Sequence, residues 1–96
     1  MGTQTLEIPE LLIGYNQKEA AQLPWHVVLY DDPVHTINAV ILQVQKATGL
    51  SLEASFEITM TVHTKGQAEC FTGSRLKCEK VAAVLREIDL TVSIVC

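Results

Sequence analysis

The chain has 96 residues, 48% of them hydrophobic, which is enough for one small domain with a single core. Asp and Glu number 11 against 7 Lys and Arg, for a formal net charge of -4, and no basic cluster occurs, so binding to nucleic acid is not expected. No apolar run approaches the roughly 18 residues of a membrane span, and the chain start does not resemble a signal peptide, so we expect a soluble cytoplasmic protein.

The first 24 residues are mostly polar and show no sustained hydrophobic period. Their one apolar patch runs from Ile8 to Tyr15, and Pro24 closes the segment. We therefore predict a mobile N-terminal extension at 1–24 and a compact domain at 25–96.

An apolar run of strand length, Trp25 to Tyr30, leads into Asp31-Asp32-Pro33. A residue before proline is pushed out of the α region, so a helix cannot begin until the chain has passed both acids. Adjacent carboxylates are costly to desolvate and normally face water or a cation. The pattern fits either a binding loop or a plain solvated turn.

Helical spacing begins after this loop. Thr36 is suited to an N-cap and Gly49 to the end of the first predicted helix. The spacing places four residues on one stripe: Ile37, Ile41, Val44 and Thr48.

A second helix is predicted to begin at the N-cap Ser51, with Glu53 in its first turn, and to run to Gly66. Five residues are predicted to share its inner face: Leu52, Phe56, Thr59, Met60 and His63.

The remaining pattern predicts a strand, a helix and a strand. Gln67 to Thr72 alternates, and the final run from Leu90 to Val95 alternates strictly, as in a half-buried strand. A third helix from about Ser74 lies between them, with an apolar stripe of Cys78, Val81, Leu85 and Ile88. On the first of these strands, Ala68, Cys70 and Thr72 are predicted to share one side.

This order predicts the α/β class: a small β-α-α-β-α-β sandwich, with a three-stranded sheet and three helices packed on one face. The cysteines are Cys70, Cys78 and Cys96, an odd number without a Cys-x-x-Cys pair. They predict neither a disulfide framework nor a zinc site, but reduced thiols, with the first two in or near the core.

His63 lies one turn after Thr59 on the same predicted helix face, so both could line one groove wall. A histidine that caps the helix end is the open alternative. The residues alone favour surface or packing roles for His26 and His35.

An enzyme that used Asp31, Asp32 and His63 as metal ligands or as an acid and base pair is disfavoured. The chain has no His-Glu-x-x-His motif, Gly-rich phosphate loop or nucleophile turn, so we predict no catalysis, metal or cofactor. A binding module fits better, because two carboxylates and a histidine beside an apolar groove could capture a charged α-amine.

From about Trp25 to Val95 the chain resembles the ClpS family. The resemblance is carried by the stretch from Val27 to His35 (VVLYDDPVH), by Val44 to Lys46 (VQK) and by Met60 to Ala68 (MTVHTKGQA). It implies a non-enzymatic adaptor, most simply a monomer, that binds the N-terminal residue of N-degron substrates and delivers them to a Clp AAA+ unfoldase. The N-terminal extension would engage the unfoldase during delivery.

The resemblance also implies roles for particular residues. The substrate α-amine would be bound by Asp31, Asp32 and His63. The pocket for the first side chain, expected to be Leu, Phe, Tyr or Trp, would be lined by His35, Ile37, Val40, Thr59, Val62 and Leu90. Contacts to the unfoldase would be made by Lys77, Glu79 and Lys80.

The chain departs from the family pattern at Ile37 and Thr59, where relatives commonly have Met, and at Asp31, where many have Asn. A different α/β interaction domain, similar to the C-terminal domain of ribosomal stalk proteins, is the alternative reading. That alternative requires no convergence of Asp31, Asp32 and His63.

Overall fold

The computed structural model describes residues 24–96, and its elements follow the predicted order. The predicted extension at 1–24 lies outside the described residues apart from Pro24. The elements are β1 (Trp25–Tyr30), α1 (Ile37–Thr48), α2 (Leu52–Lys65), β2 (Gln67–Gly73), α3 (Arg75–Leu85), a 3-10 turn (Arg86–Ile88) and β3 (Val92–Val95).

The three strands form an antiparallel sheet in the order β2-β1-β3. The apolar β1 is therefore central, and Val27 and Leu29 are fully buried within it. In the register, Leu29 lies opposite Ala68 on one side and Val92 on the other. The predicted fold class, a three-stranded sheet with three helices on one face, is confirmed.

The capping residues that the sequence indicates lie at the starts of all three helices and at the ends of α1 and α2. Thr36, Ser51 and Ser74 each accept a hydrogen bond from a first-turn backbone N–H at 3.1, 3.1 and 3.2 Å. N-caps of this kind typically stabilise a helix by about 1 kcal/mol. Gly49 and Gly66 end α1 and α2 at φ values of 76° and 91°, a left-handed conformation that a side chain would strain.

The core lies between the sheet and the helices, and Cys70 and Cys78 are buried there as predicted. Burial raises the pKa of Cys70 to about 12 and also raises that of Cys78. Both thiols therefore remain protonated and unreactive near neutral pH, whereas Cys96 is exposed.

The predicted inner face of α2 is wrong in part. Its buried residues are Ser55, Thr59 and Val62, whereas Leu52 and Phe56 are 57% and 49% exposed. The helix carries apolar side chains on two faces, and packing selects the face with the small and β-branched residues, which can lie close to α1 and β2.

The predicted alternation of β2 is also wrong, because the strand contains a bulge. Val27 lies opposite Phe71 but Val28 lies opposite Glu69, so Cys70 has no partner in β1. An extra residue breaks the period of two. Cys70 and Phe71 consequently both contact the core, and Thr72 is exposed.

The last strand is shorter than predicted. The third helix also ends earlier than predicted, because α3 stops at Leu85 and Ile88 belongs to the 3-10 turn. Asp89 then adopts φ 64°, and Leu90 is buried before β3 begins. Asp tolerates the left-handed region better than most residues, so it can make the turn that brings Leu90 inward.

Candidate functional site

A cavity of about 330 Å³ opens where β1 ends, between the start of α1 and the end of α2. It brings together all the residues predicted for the amine site and the side-chain pocket, together with Tyr30 and Pro33. Its lining consists of Tyr30, Asp31, Asp32, Pro33, His35, Ile37, Val40, Thr59, Val62, His63 and Leu90.

The loop between β1 and α1 holds Asp32 in place through local hydrogen bonds. One carboxylate oxygen accepts from the backbone N–H groups of Val34 (2.6 Å) and His35 (3.3 Å). The other lies 2.7 Å from Nδ1 of His35. The Val34 N–H contributes most, followed by the His35 ring, and together they hold the pKa of Asp32 below its usual value. The carboxylate is therefore ionised and oriented before any ligand arrives.

The hydrogen bonds to Asp32 predict that the stability of the folded protein depends on pH. The pKa of Asp32 should lie below the ordinary Asp value of about 3.9. Because the pKa is lower in the folded state, the associated stabilisation is present above the ordinary value and is lost as pH falls through the lowered pKa. A carboxyl-carbon NMR titration measures this pKa directly. His35→Ala should raise it only partway, since the Val34 bond remains, and an Asp32 midpoint at or above the ordinary value would contradict the assignment.

Asp31 and His63 face each other across the cavity mouth, although they are distant in the sequence. The backbone N–H of Asp31 donates to the carbonyl of Gly66 at 2.9 Å, which ties the loop to the end of α2. Oδ1 of Asp31 then lies 3.8 Å from Nδ1 of His63, with the two side chains 46% and 55% exposed. This distance is longer than a hydrogen bond. Both side chains can therefore still form hydrogen bonds to a third group placed between them.

The rest of the cavity wall is mainly apolar. Val40, Val62 and Leu90 are at most 8% exposed, while Ile37 is 36% exposed and forms part of the rim. Thr59, only 3% exposed, adds a hydroxyl-bearing side chain to these apolar residues. The cavity therefore has a charged mouth and an apolar interior, an arrangement suited to a ligand with a cationic end and an apolar side chain.

Two lining residues, Tyr30 and Pro33, were not predicted as site residues. Tyr30 ends β1 and Pro33 lies in the loop that follows, so their closeness in sequence to the two acids was the available signal. The Tyr30 hydroxyl bonds that of Ser93 at 2.9 Å. His35, predicted from the residues alone as a surface or packing residue, orients Asp32 and lines the cavity. His26 instead pairs with Glu69 at 3.0 Å.

The residues predicted to contact an unfoldase lie on α3, which contributes nothing to the cavity lining. Lys77, Glu79 and Lys80 are all exposed, and Glu79 accepts a hydrogen bond from Arg75 at 3.2 Å. Their role stays a prediction.

Residues 24–96 contain no group of three His, Cys, Asp or Glu side chains placed to hold a metal ion. Within the same residues, every helix is too short or too polar to cross a membrane.

Comparison with known proteins gives a consistent result. Residues 20–91 match the family model described as ATP-dependent Clp protease adaptor protein ClpS. An ATP-dependent Clp protease adapter protein ClpS from Corynebacterium glutamicum (strain R) is 31% identical over 77% of this chain and 74% of its own length. The ClpS of Rhodococcus opacus (strain B4) is 41% identical over 64% of this chain and 54% of its own length.

The fold also matches a solved structure, that of Agrobacterium tumefaciens ClpS2 bound to L-phenylalaninamide. The TM-score is 0.70 at 18% identity, over 75% of this chain and 94% of that one. The family model covers well over half of the chain, and the solved structure shares its fold. This chain therefore belongs to the ClpS family of Clp protease adaptor proteins.

Proposed function

We propose that this protein binds the N-terminal residue of N-degron substrates and delivers them to a Clp AAA+ unfoldase in the cytoplasm. The observation that carries the proposal is the convergence of Asp31, Asp32 and His63 at the mouth of one cavity with an apolar interior. The ribosomal-stalk alternative gives no reason for this convergence. The relatives are named adapters, which agrees with a non-catalytic role.

Recognition would begin with the substrate's α-ammonium group. Asp32 presents a fixed carboxylate, while Asp31 and His63 leave a gap that a third group can enter. An ammonium group has three N–H donors and a positive charge, so it can bond to two carboxylates and an unprotonated imidazole nitrogen at once. A free N-terminus supplies this group, whereas a residue inside a chain does not.

The first side chain would then enter the apolar part of the cavity. A volume of about 330 Å³ lies at the low end of small-ligand sites and suits one residue. The ligand in the Agrobacterium ClpS2 structure, L-phenylalaninamide, has the same two parts, an α-amine and an apolar side chain. Delivery would use a separate surface, with Lys77, Glu79 and Lys80 on α3 available for the unfoldase.

Titration of a fluorescent peptide that starts with Phe tests the binding step. Saturable binding is expected, and the same peptide with Gly at its first position should bind much more weakly because the apolar cavity stays empty. For delivery, a Phe-starting reporter should be degraded by a Clp unfoldase and protease only when this protein is added. Equal binding of the Phe and Gly peptides would contradict the proposal.

A further prediction concerns Ile37, whose β-branched side chain is stiff where relatives commonly have flexible Met. Branching at the Cβ of a first residue would meet branching at the rim, so peptides that start with Val or Ile should bind roughly 10-fold more weakly than a Phe peptide. Phe, Tyr and Trp peptides should bind at least as well as a Leu peptide.

Ile37→Met should narrow the gap between the Val and Phe peptides. Leu42→Met provides a matched control, because Leu42 lies on the same helix, is 61% exposed and does not line the cavity. Tight binding of the Val peptide by the unmodified protein would show that Ile37 does not act as a gate.

A further inference from the structure

A second depression in the surface lies between α1 and α2, beside the candidate site, with a volume of about 300 Å³. Its lining consists of Asn38, Ile41, Leu42, Leu52 and Phe56, and we call it the apolar groove. The side chains of Leu42, Leu52 and Phe56 are exposed. Exposed apolar side chains that cluster around a depression, rather than lying singly, indicate a surface that binds another molecule.

The apolar groove adjoins the candidate site along both helices. On α1, Ile37 lines the cavity and the next residue, Asn38, lines the groove. On α2, Phe56 and Leu52 lie 7 and 11 residues before His63. At about 100° per residue, each of them lies within about 20° of His63 around the helix axis. One face of α2 therefore runs from the cavity mouth to the groove.

The distance along this face determines which part of a bound peptide reaches the groove. With a rise of about 1.5 Å per residue, Phe56 lies about 10 Å and Leu52 about 16 Å from His63 along the axis of α2. An extended peptide advances about 3.4 Å per residue. When the α-amine of such a peptide lies between Asp31 and His63, about its fourth to sixth residues can lie beside the groove.

We propose that the apolar groove binds the side chains of about the fourth to sixth residues of a substrate whose first residue occupies the cavity, and that it favours apolar residues there. This inference rests on the proposed function and narrows its substrate class to chains with an apolar segment close behind the N-terminal residue. The lining carries no charged side chain, and Asn38 is its one polar residue within the part of the chain that the structure describes. Apolar side chains of the substrate would remove apolar surface of both partners from water, whereas polar side chains would gain nothing.

The test uses fluorescent peptides that all begin with Phe and differ only at about the fourth to sixth positions, which are Leu in one peptide and Ser in the other. The unmodified protein should bind the Leu peptide about 5-fold more tightly, as expected when part of the Leu surface is removed from water. A third peptide carries the same Leu residues behind a Pro-rich spacer, which extends them past the groove. It should bind no more tightly than a matching peptide with Ser in their place.

Phe56→Ser removes the largest side chain of the apolar groove and should reduce the preference for the Leu peptide to near unity. Leu52→Ser, at the far end of the groove, should reduce it as well. Leu76→Ser is the matched control, because Leu76 is an exposed apolar residue on α3 that lines neither the cavity nor the groove. It should keep the preference. Thermal denaturation should show that all three variants fold, since none of these side chains belongs to the hydrophobic core.

The outcomes separate the inference from the proposed function. If the Leu and Ser peptides bind equally, or if the preference survives both Phe56→Ser and Leu52→Ser, the inference is overturned and N-terminal recognition stands. Size-exclusion chromatography tests a second copy of the chain as the occupant. A dimer that Phe56→Ser dissociates, without a preference between the peptides, would also overturn the inference. If no Phe-starting peptide binds, the proposed function fails together with the inference.

Discussion

Acetylation of the α-amine is expected to remove measurable binding of a Phe-starting peptide. The acetyl group eliminates the positive charge and leaves one N–H donor in place of three, so Asp31 and Asp32 would be desolvated without compensation. It also adds bulk at the mouth, where Asp31 and His63 are only 3.8 Å apart. Fluorescence titration of the acetylated and free peptides measures the effect.

A second acetylated peptide controls for the modification itself. It has a free α-amine and an acetylated Lys several residues along the chain, and it should bind as tightly as the unmodified peptide. If blocking the α-amine left the affinity unchanged, the amine-capture mechanism would be wrong.

Removal of the Asp32 carboxylate is expected to weaken binding of the Phe-starting peptide by roughly 10- to 100-fold, the usual value of a charge-assisted hydrogen bond. Asp32→Ala loses the charge and also the acceptor for the Val34 and His35 N–H groups. Asp32→Asn loses the charge but keeps an amide oxygen for those bonds. Comparison of the two variants by titration separates the charge from the order of the loop.

Glu57→Gln is the control for net charge, because Glu57 is an exposed acid on α2 that does not line the cavity. It should bind the peptide normally. Wild-type affinity in Asp32→Asn would show that the carboxylate charge plays no part in recognition.

The parts of the fold that depend only on residues close in the sequence could be predicted. Thr36 and Ser51 precede helical spacing and Gly49 follows it, so these helix ends could be placed from neighbouring residues. The inner face of α2 could not be placed in this way, because both of its faces carry apolar residues and only packing decides between them. The bulge at Cys70 depends on the pairing of β2 with β1, which no local pattern in β2 records.

The candidate site, too, could be predicted only in part from the sequence. Residue types and the family resemblance singled out Asp31, Asp32 and His63, which occur in recognisable stretches and lie at one cavity, but they missed Tyr30 and Pro33. The role of His35 as a partner for Asp32 depends on ring orientation, and the unpaired state of Thr59 depends on its rotamer. Both are three-dimensional properties of side chains whose identities alone do not reveal them.

The backbone bond between Asp31 and Gly66 has a consequence for how such a protein evolves. It joins the acidic loop to the histidine-bearing helix through main-chain atoms, and residue 66 itself favours Gly because of its φ of 91°. Exchanges at Ile37 or Thr59 alter the cavity wall without touching that bond. Single substitutions in the cavity wall can therefore change which first residue a protein of this kind accepts. The requirement for a free amino terminus is retained through these changes.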